Sequence, residues 1–222
     1  MFQVTRQELL LPSHESFSAL RNEFGERQSL HLPGFVGSSL LDHLTTGLQT
    51  ARFNQTVHLD SRNREFARDQ TIDGRNVVTH IFHLMLNNAD LFKAVQSLTG
   101  CQNIGSFAGR VYRSASGGDH HLEWHDDRED PSRLIGLTIN FSNGPYSGGL
   151  FQIRYKNSGI VLNEVANTEA GGAILFRISA DLEHRITPVE GNNAKVAGAG
   201  WFLSTPNSLA TIRNMATRSN RQ

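Results

Sequence analysis

From residue 104 onward the chain is a succession of short apolar runs, GRVYRS, LIGLTINFS, LFQIRY, AILFRI and GWFLST, each closed off by glycine, proline or asparagine. Runs this short and rich in β-branched and aromatic residues are strands, and strands repeated at this spacing must bury their apolar faces against one another. That requirement leaves a sandwich or a barrel. The residues before 104 pattern differently. Phe17, Leu20 and Phe24 recur at helical spacing between Ser13 and Gly25, and Leu40, Leu41, Leu44 and Leu48 form one stripe of SSLLDHLTTGLQTARF. DLFKAVQSLTG predicts a further helix, starting at Asp90 and stopping at Gly100. Between them FNQTVHLDSRNREFARDQTIDGR is polar and arginine-rich without a clean period, the pattern of a long loop or an irregular hairpin. The expected chain is therefore mostly β with N-terminal helices: a helical support region over 1–103 with a polar loop at 52–76 placed to cover a substrate, a β core over 104–206, and a basic tail over 207–222, all within one structural domain.

Charge and length exclude several classes. Lysine plus arginine equals aspartate plus glutamate at 21 each among 222 residues, so no overall field favours nucleic acid or an anionic membrane. The basic end TIRNMATRSNRQ predicts a solvated tail. MFQVTRQELLLPSHESF has no unbroken apolar core of the signal-peptide kind, and no stretch approaches the length of a membrane span, which makes a cytoplasmic location the expectation. Cys101, the one cysteine, has no partner for an internal disulfide and predicts a buried small side chain in a reducing compartment.

The stretch LEWHDDRED carries the chemistry. In an extended segment alternate side chains share a face, so His125 and Asp127 aim an imidazole and a carboxylate at one point. A third ligand would complete a two-histidine, one-carboxylate iron site with open positions. The spacing alone is weak, since roughly half of chains with this His and Asp content contain a His-x-Asp by chance. A second copy, His58-Leu59-Asp60, is present in VHLDSRN. Position separates the two: His58 falls in the irregular polar stretch, His125 between two strands. After Asp127 there is a single histidine, His184, which follows the strand AILFRI and opens another that runs toward a Gly191-Asn192-Asn193 turn. A returning strand carries Lys195, placed by a turn near Gly191 roughly 13 Å along from His184 at ~3.3 Å per residue.

The order His125-x-Asp127, YSGGLFQIR, GGAILF, HRITPVEG, then Lys195 six residues before Trp201-Phe202, resembles the iron(II) and 2-oxoglutarate dependent dioxygenases, in particular their prolyl-4-hydroxylase-like branch. LPGFVGSSLLDHL is similar, less specifically, to the helical lead-in of those enzymes. The resemblance spans about residues 105–205 and implies a double-stranded β-helix, a jelly-roll or cupin-like core. It further implies that His125, Asp127 and His184 bind Fe(II), that Lys195 pairs with the far carboxylate of the cosubstrate 2-oxoglutarate, and that Tyr112 donates its hydroxyl to the same molecule. O2 would be the oxidant, succinate and CO2 the by-products, and the presence of Asp127 disfavours halogenation. Many relatives use arginine where Lys195 stands; Arg185 is its nearest competitor, but a neighbour of a ligand in a strand faces the opposite way.

Other polar residues have plainer readings. Asp119 and Asp126 predict a solvated turn, His120 and His121 a surface pair, and His80 and His83 no metal. Trp124 and Trp201 predict core packing. Arg62, Arg64, Arg68 and Arg128 are the candidate contacts for an anionic group on the substrate. The implied activity is hydroxylation of an unactivated C–H of an amino acid, a peptidyl residue or a small natural-product intermediate. Two other classes share these residues: a cupin-type metal enzyme that does not use 2-oxoglutarate, and a silent jelly-roll binding module. Lys195 is the discriminating residue, because only a dicarboxylate cosubstrate gives a reason to aim an ammonium into the barrel.

Overall fold

The computed structural model describes residues 1–59, 62–115 and 120–204, with His121 through its backbone alone. The tail beginning at residue 207, Asp60 and Asp119 lie outside the described residues. In chain order the elements are β1 (Gln3–Val4), β2 (Leu9–Leu10), α1 (His14–Arg27), β3 (Ser29–Leu32), α2 (Ser38–Gln49), β4 (Phe53–Leu59), β5 (Glu65–Ile72), α3 (Val77–Leu86) and α4 (Ala89–Thr99). The strands β6 (Ser106–Ser114), β7 (His121–His125), β8 (Arg133–Asn140), β9 (Ser147–Gly148), β10 (Phe151–Tyr155) and β11 (Val161–Val165) follow. The last are β12 (Ala173–Arg177), β13 (Leu182–Ile186), β14 (Val189–Glu190) and β15 (Lys195–Leu203).

One large antiparallel sheet dominates, ordered β11-β10-β13-β7-β5-β6-β15-β8-β12-β3, with β4 on β5. It curls until its ends nearly meet: Asn163 on β11 donates through Nδ2 to Ser29 Oγ on β3 at 2.9 Å, both side chains buried. The fold is thus mostly antiparallel β, barrel-like and nearly closed, with four helices among the described residues. Strand alternation gives the curled sheet two faces. On β8 the buried Ile135, Leu137 and Ile139 join a core with Phe82, Leu86, Leu91 and Leu98 of the helices. The opposite face carries Gly136, Thr138 and Asn140 inward. A smaller inner cluster of Phe151, Ile153, Ile174, Phe176 and Leu182 fills one end of the barrel. Gly136 is required there, because a Cβ at that position would stand 2.0 Å from Cζ of Phe176.

Several expectations change. The region 1–103 is not only helical: it supplies β3, β4 and β5 to the main sheet. Of the two readings of the polar stretch at 52–76, loop or hairpin, the hairpin holds, paired from Phe53↔Ile72 through His58↔Ala67. Helix α1 runs past Gly25 to Arg27 and stops where Gln28 turns left-handed at φ 57°. Helix α4 is capped by Asn88, whose side chain accepts from the amides of Asp90 and Leu91, and it ends at Gly100 with φ 72°. The strand bearing His184 and the strand bearing Lys195 do not pair. β13 bonds to β10 and β7 while β15 bonds to β6 and β8, so the 13 Å estimate along one hairpin does not apply.

Candidate metal centre

His125 ends β7 and sits directly opposite His184 of β13 in the ladder. Their rings lie 4.2 Å apart, centroid to centroid. Asp127 joins them by a route other than strand alternation. It lies two residues past the end of β7 with φ 57°, a left-handed conformation that aspartate tolerates better than most residues. Asp127 Oδ1 then stands 3.5 Å from His125 Nε2, and Oδ2 stands 3.3 Å from His184 Nε2. One ligand atom from each residue falls within 4.8 Å of the others, the single such cluster of three or more among the described residues.

The hydrogen bonds behind the cluster decide what it can hold. His125 Nδ1 lies 2.7 Å from the Glu123 carbonyl, which only accepts, so the proton belongs on Nδ1 and the Nε2 lone pair faces the carboxylate. Burial first, and then the neighbouring His184, push the His125 pKa down to about 4. Burial opposes the charge on Asp127, yet His184, His125 and the Trp201 indole outweigh it and hold the carboxyl well below the usual range. A lone pair facing an anion at 3.5 Å is unfavourable in the absence of a cation. A divalent cation among the three ligand atoms relieves both contacts of Asp127 with the imidazoles. The donor set of two imidazoles and a carboxylate fits ferrous iron.

The cluster opens on a cleft of about 880 Å³ lined by all three residues and by Val57, His58, Arg62, Arg64, Phe66, Arg110, Tyr112, Trp124 and Trp201 among others. Phe176 packs on His184 at 4.3 Å and Phe66 on His125 at 5.3 Å, so each imidazole has an aromatic wall. Tyr112 is buried at the inner wall, and burial, then the Asp69 charge, push its pKa up to about 12; it is a neutral donor at physiological pH. Lys195 is 3 % exposed and shares the inner face of β15 with Ala197, Ala199 and Trp201. It does not line the cleft: its ammonium donates to the Gly149 carbonyl at 2.8 Å, and burial pushes its pKa down to about 8.

Arg62 and Arg64 line the cleft, whereas Arg68 and Arg128 do not. Arg68 is bound by both carboxylate oxygens of Glu65 at 2.7 Å, and Arg128 is exposed beyond the left-handed turn. His58 proves to be a wall of the cleft rather than a distant loop residue. Its Nε2 stands 3.2 Å from Asp69 Oδ2 and 3.3 Å from an Arg110 nitrogen, and among the described residues it belongs to no three-residue metal cluster. Asp126 is not merely solvated, since Lys156 donates to it at 2.7 Å. His120 accepts from the Ala115 amide, and His83 lies 2.9 Å from the Gly109 carbonyl. Trp124 and Trp201 line the cleft instead of the core. Trp124 lies under the guanidiniums of Arg154 at 3.8 Å and Arg185 at 4.6 Å. Trp201 donates to Asp127 Oδ2 at 2.7 Å. Strand parity relative to Lys195 was the one sequence signal available for Trp201, since it sets which face that indole occupies.

Comparison with known proteins agrees with this geometry. Residues 109–203 match the model of the 2OG-Fe(II) oxygenase superfamily, whose members use Fe(II), 2-oxoglutarate and O2. A prolyl-4-hydroxylase of Pseudomonas putida superposes with a TM-score of 0.63 at 16% identity, covering 85% of this chain and 99% of its own. A Trichoplax adhaerens prolyl hydroxylase, solved with a peptide fragment of the hypoxia inducible factor oxygen degradation domain, gives 0.63 at 15% identity over 86% of this chain and 90% of its own. The non-heme alpha ketoglutarate dependent epimerase SnoN of nogalamycin biosynthesis gives 0.60 at 8% identity, covering 85% and 83%. These neighbours share the fold. No curated protein sequence matches the chain significantly.

Proposed function

We propose that the protein, whose residues 109–203 match the 2OG-Fe(II) oxygenase superfamily, hydroxylates an unactivated C–H of an amino acid, a peptidyl residue or a small natural-product intermediate. The observation that carries this reading is the meeting of His125, Asp127 and His184 within 4.8 Å on the wall of a cleft. These three residues hold Fe(II). The bound metal, with 2-oxoglutarate and O2, supplies the oxidation: one oxygen atom enters the substrate as hydroxyl, the other enters succinate, and CO2 leaves.

The chain's own residues bind and orient. Lys195 gives the far carboxylate of 2-oxoglutarate a counter-charge in a place from which water is excluded, exchanging the Gly149 carbonyl for a stronger, charge-assisted partner. Tyr112, still protonated at physiological pH, donates its hydroxyl to the same molecule. Phe151 and Phe176 make the adjoining wall apolar, which strengthens every polar contact made inside it. Arg62 and Arg64 stand where a carboxylate or phosphate of the substrate would enter. A peptidyl substrate draws support from the neighbour solved with a peptide fragment. The free cysteine Cys101 fits a reducing, cytoplasmic setting, and no described helix is long and apolar enough to cross a membrane.

Succinate release is the test. Protein supplied with Fe(II), O2 and 2-oxoglutarate should release succinate slowly alone and faster with a substrate, and Asp127→Ala and His184→Ala should each abolish both. Turnover that survives either substitution refutes the assignment.

A further inference from the structure

Asp127 reaches the cluster from beyond the end of β7, where ladder hydrogen bonds no longer fix it, and at a φ that most residues avoid. Such a side chain swings with its loop unless something outside the loop holds it. Two residues from other strands of the same sheet do so. The Trp201 indole donates to Asp127 Oδ2 at 2.7 Å, and the Arg133 guanidinium donates to the Asp127 main-chain carbonyl at 3.1 Å. The pair is joined: the Arg133 guanidinium lies 3.7 Å from the centre of the Trp201 ring. Both are anchored on strands that bond to each other, Trp201 on β15 and Arg133 at the start of β8.

The division of labour between the two is chemically specific. An indole has one N–H and no acceptor, and a tryptophan wanted only for packing would leave that N–H to water or to a carbonyl. Here it meets the carboxylate. Being neutral, the indole orients Oδ2 without cancelling its charge. Arg133 offsets part of that charge, its nitrogen standing 3.5 Å from Oδ1 as an ion pair, while its hydrogen bond goes to the backbone carbonyl. The carboxylate is thereby held in place, oriented by the indole and paired at a distance by the guanidinium.

We propose that Arg133 and Trp201 form a positioning clamp that fixes the Asp127 carboxylate and so sets the metal affinity of the site. The proposal rests on the reading of Asp127 as a metal ligand. Hydrogen-bond partners of metal ligands commonly contribute 10–100-fold in affinity, and Trp201→Phe, which keeps the ring and deletes the donor, should lose about that much. Arg133→Lys, which keeps the positive charge beside Asp127 and removes the planar guanidinium that bonds the Asp127 carbonyl and stacks on the ring, should lose about tenfold.

The test titrates Mn(II), an air-stable probe, into wild type and both variants by calorimetry, with thermal midpoints of the metal-free proteins measured alongside. The clamp predicts that both variants fold and bind Mn(II) more weakly by these factors. A role in packing alone predicts lower midpoints with affinity within about twofold of wild type, and that result overturns the clamp. Should Trp201→Phe fail to fold, Arg133→Lys decides by the same criterion. A wild-type protein that binds no Mn(II) overturns the ligand reading itself, whereas binding that both variants retain overturns the clamp and leaves the ligands standing.

Discussion

Replacing Lys195 by methionine should reveal an ammonium that the fold holds at a disadvantage. Burial pushes the Lys195 pKa from 10.5 to about 8, and the side chain is almost wholly enclosed, so solvent screening does not discount the shift. At 1.36 kcal/mol per pH unit, keeping the ammonium charged at pH 7 destabilises the native state by about 3 kcal/mol. A depressed lysine pKa means that between about pH 8 and 10.5 the unfolded chain binds the proton and the native chain does not. Wild-type stability should therefore rise with pH across that window. Lys195→Met has no such group, so its stability relative to wild type should fall by about 3 kcal/mol between pH 7 and 10.5. Loss of the donor to the Gly149 carbonyl subtracts about 1–3 kcal/mol at every pH, which leaves the variant near wild type at pH 7 and clearly weaker at high pH. Urea unfolding of metal-free protein at several pH values measures this, and groups that titrate alike in both proteins cancel. Parallel curves for the two proteins would refute the reasoning.

Further predictions follow from the same contacts. A bound dicarboxylate draws the proton back onto Lys195, so 2-oxoglutarate affinity should fall by up to about tenfold per pH unit above about pH 8, and calorimetry in two buffers should show proton uptake there. A flat affinity between pH 7 and 9.5 would exclude Lys195 as the anchor. Gly136→Ala drives a methyl into the Phe176 ring, which packs on His184; it should destabilise the protein by about 1–3 kcal/mol and weaken Mn(II) binding, measured by melting and titration. His58→Ala should leave Mn(II) affinity unchanged, because His58 is engaged by Asp69 and Arg110 and not by the cluster; a tenfold loss would make it a ligand (about 1.4 kcal/mol).

The parts legible in the sequence were those whose physics is local or ordered. Short strands with turn residues between them foretold the β core, and Gly100 and the leucine stripe of α2 foretold two helices. The chain order of His125, Asp127, His184 and Lys195 could be read because each stands in a motif of its own. What stayed hidden depends on partners far along the chain. Helix α3, VVTHIFHLML, lies between β6 and α2 and is apolar on most sides, so it shows no clear period. The hairpin of β4 and β5 is polar because much of it faces the cleft or solvent, and polarity of that kind is indistinguishable from a loop's. The left-handed turn at Asp127 replaces the strand alternation that the spacing suggested. Only the register of β15 against β8 brings Trp201 and Arg133 beside a carboxylate in a different loop.

The central claim is that the three clustered residues and Lys195 form one site for iron and 2-oxoglutarate. An anaerobic titration of the protein with ferrous iron and then 2-oxoglutarate tests it most directly, through the weak visible charge-transfer band of the iron chelate, in wild type, His184→Ala and Lys195→Ala. The account predicts a band in wild type, none in His184→Ala, and one in Lys195→Ala that needs far more 2-oxoglutarate. Iron that binds wild type without a band would contradict the use of 2-oxoglutarate, and an undiminished band in His184→Ala would contradict the site.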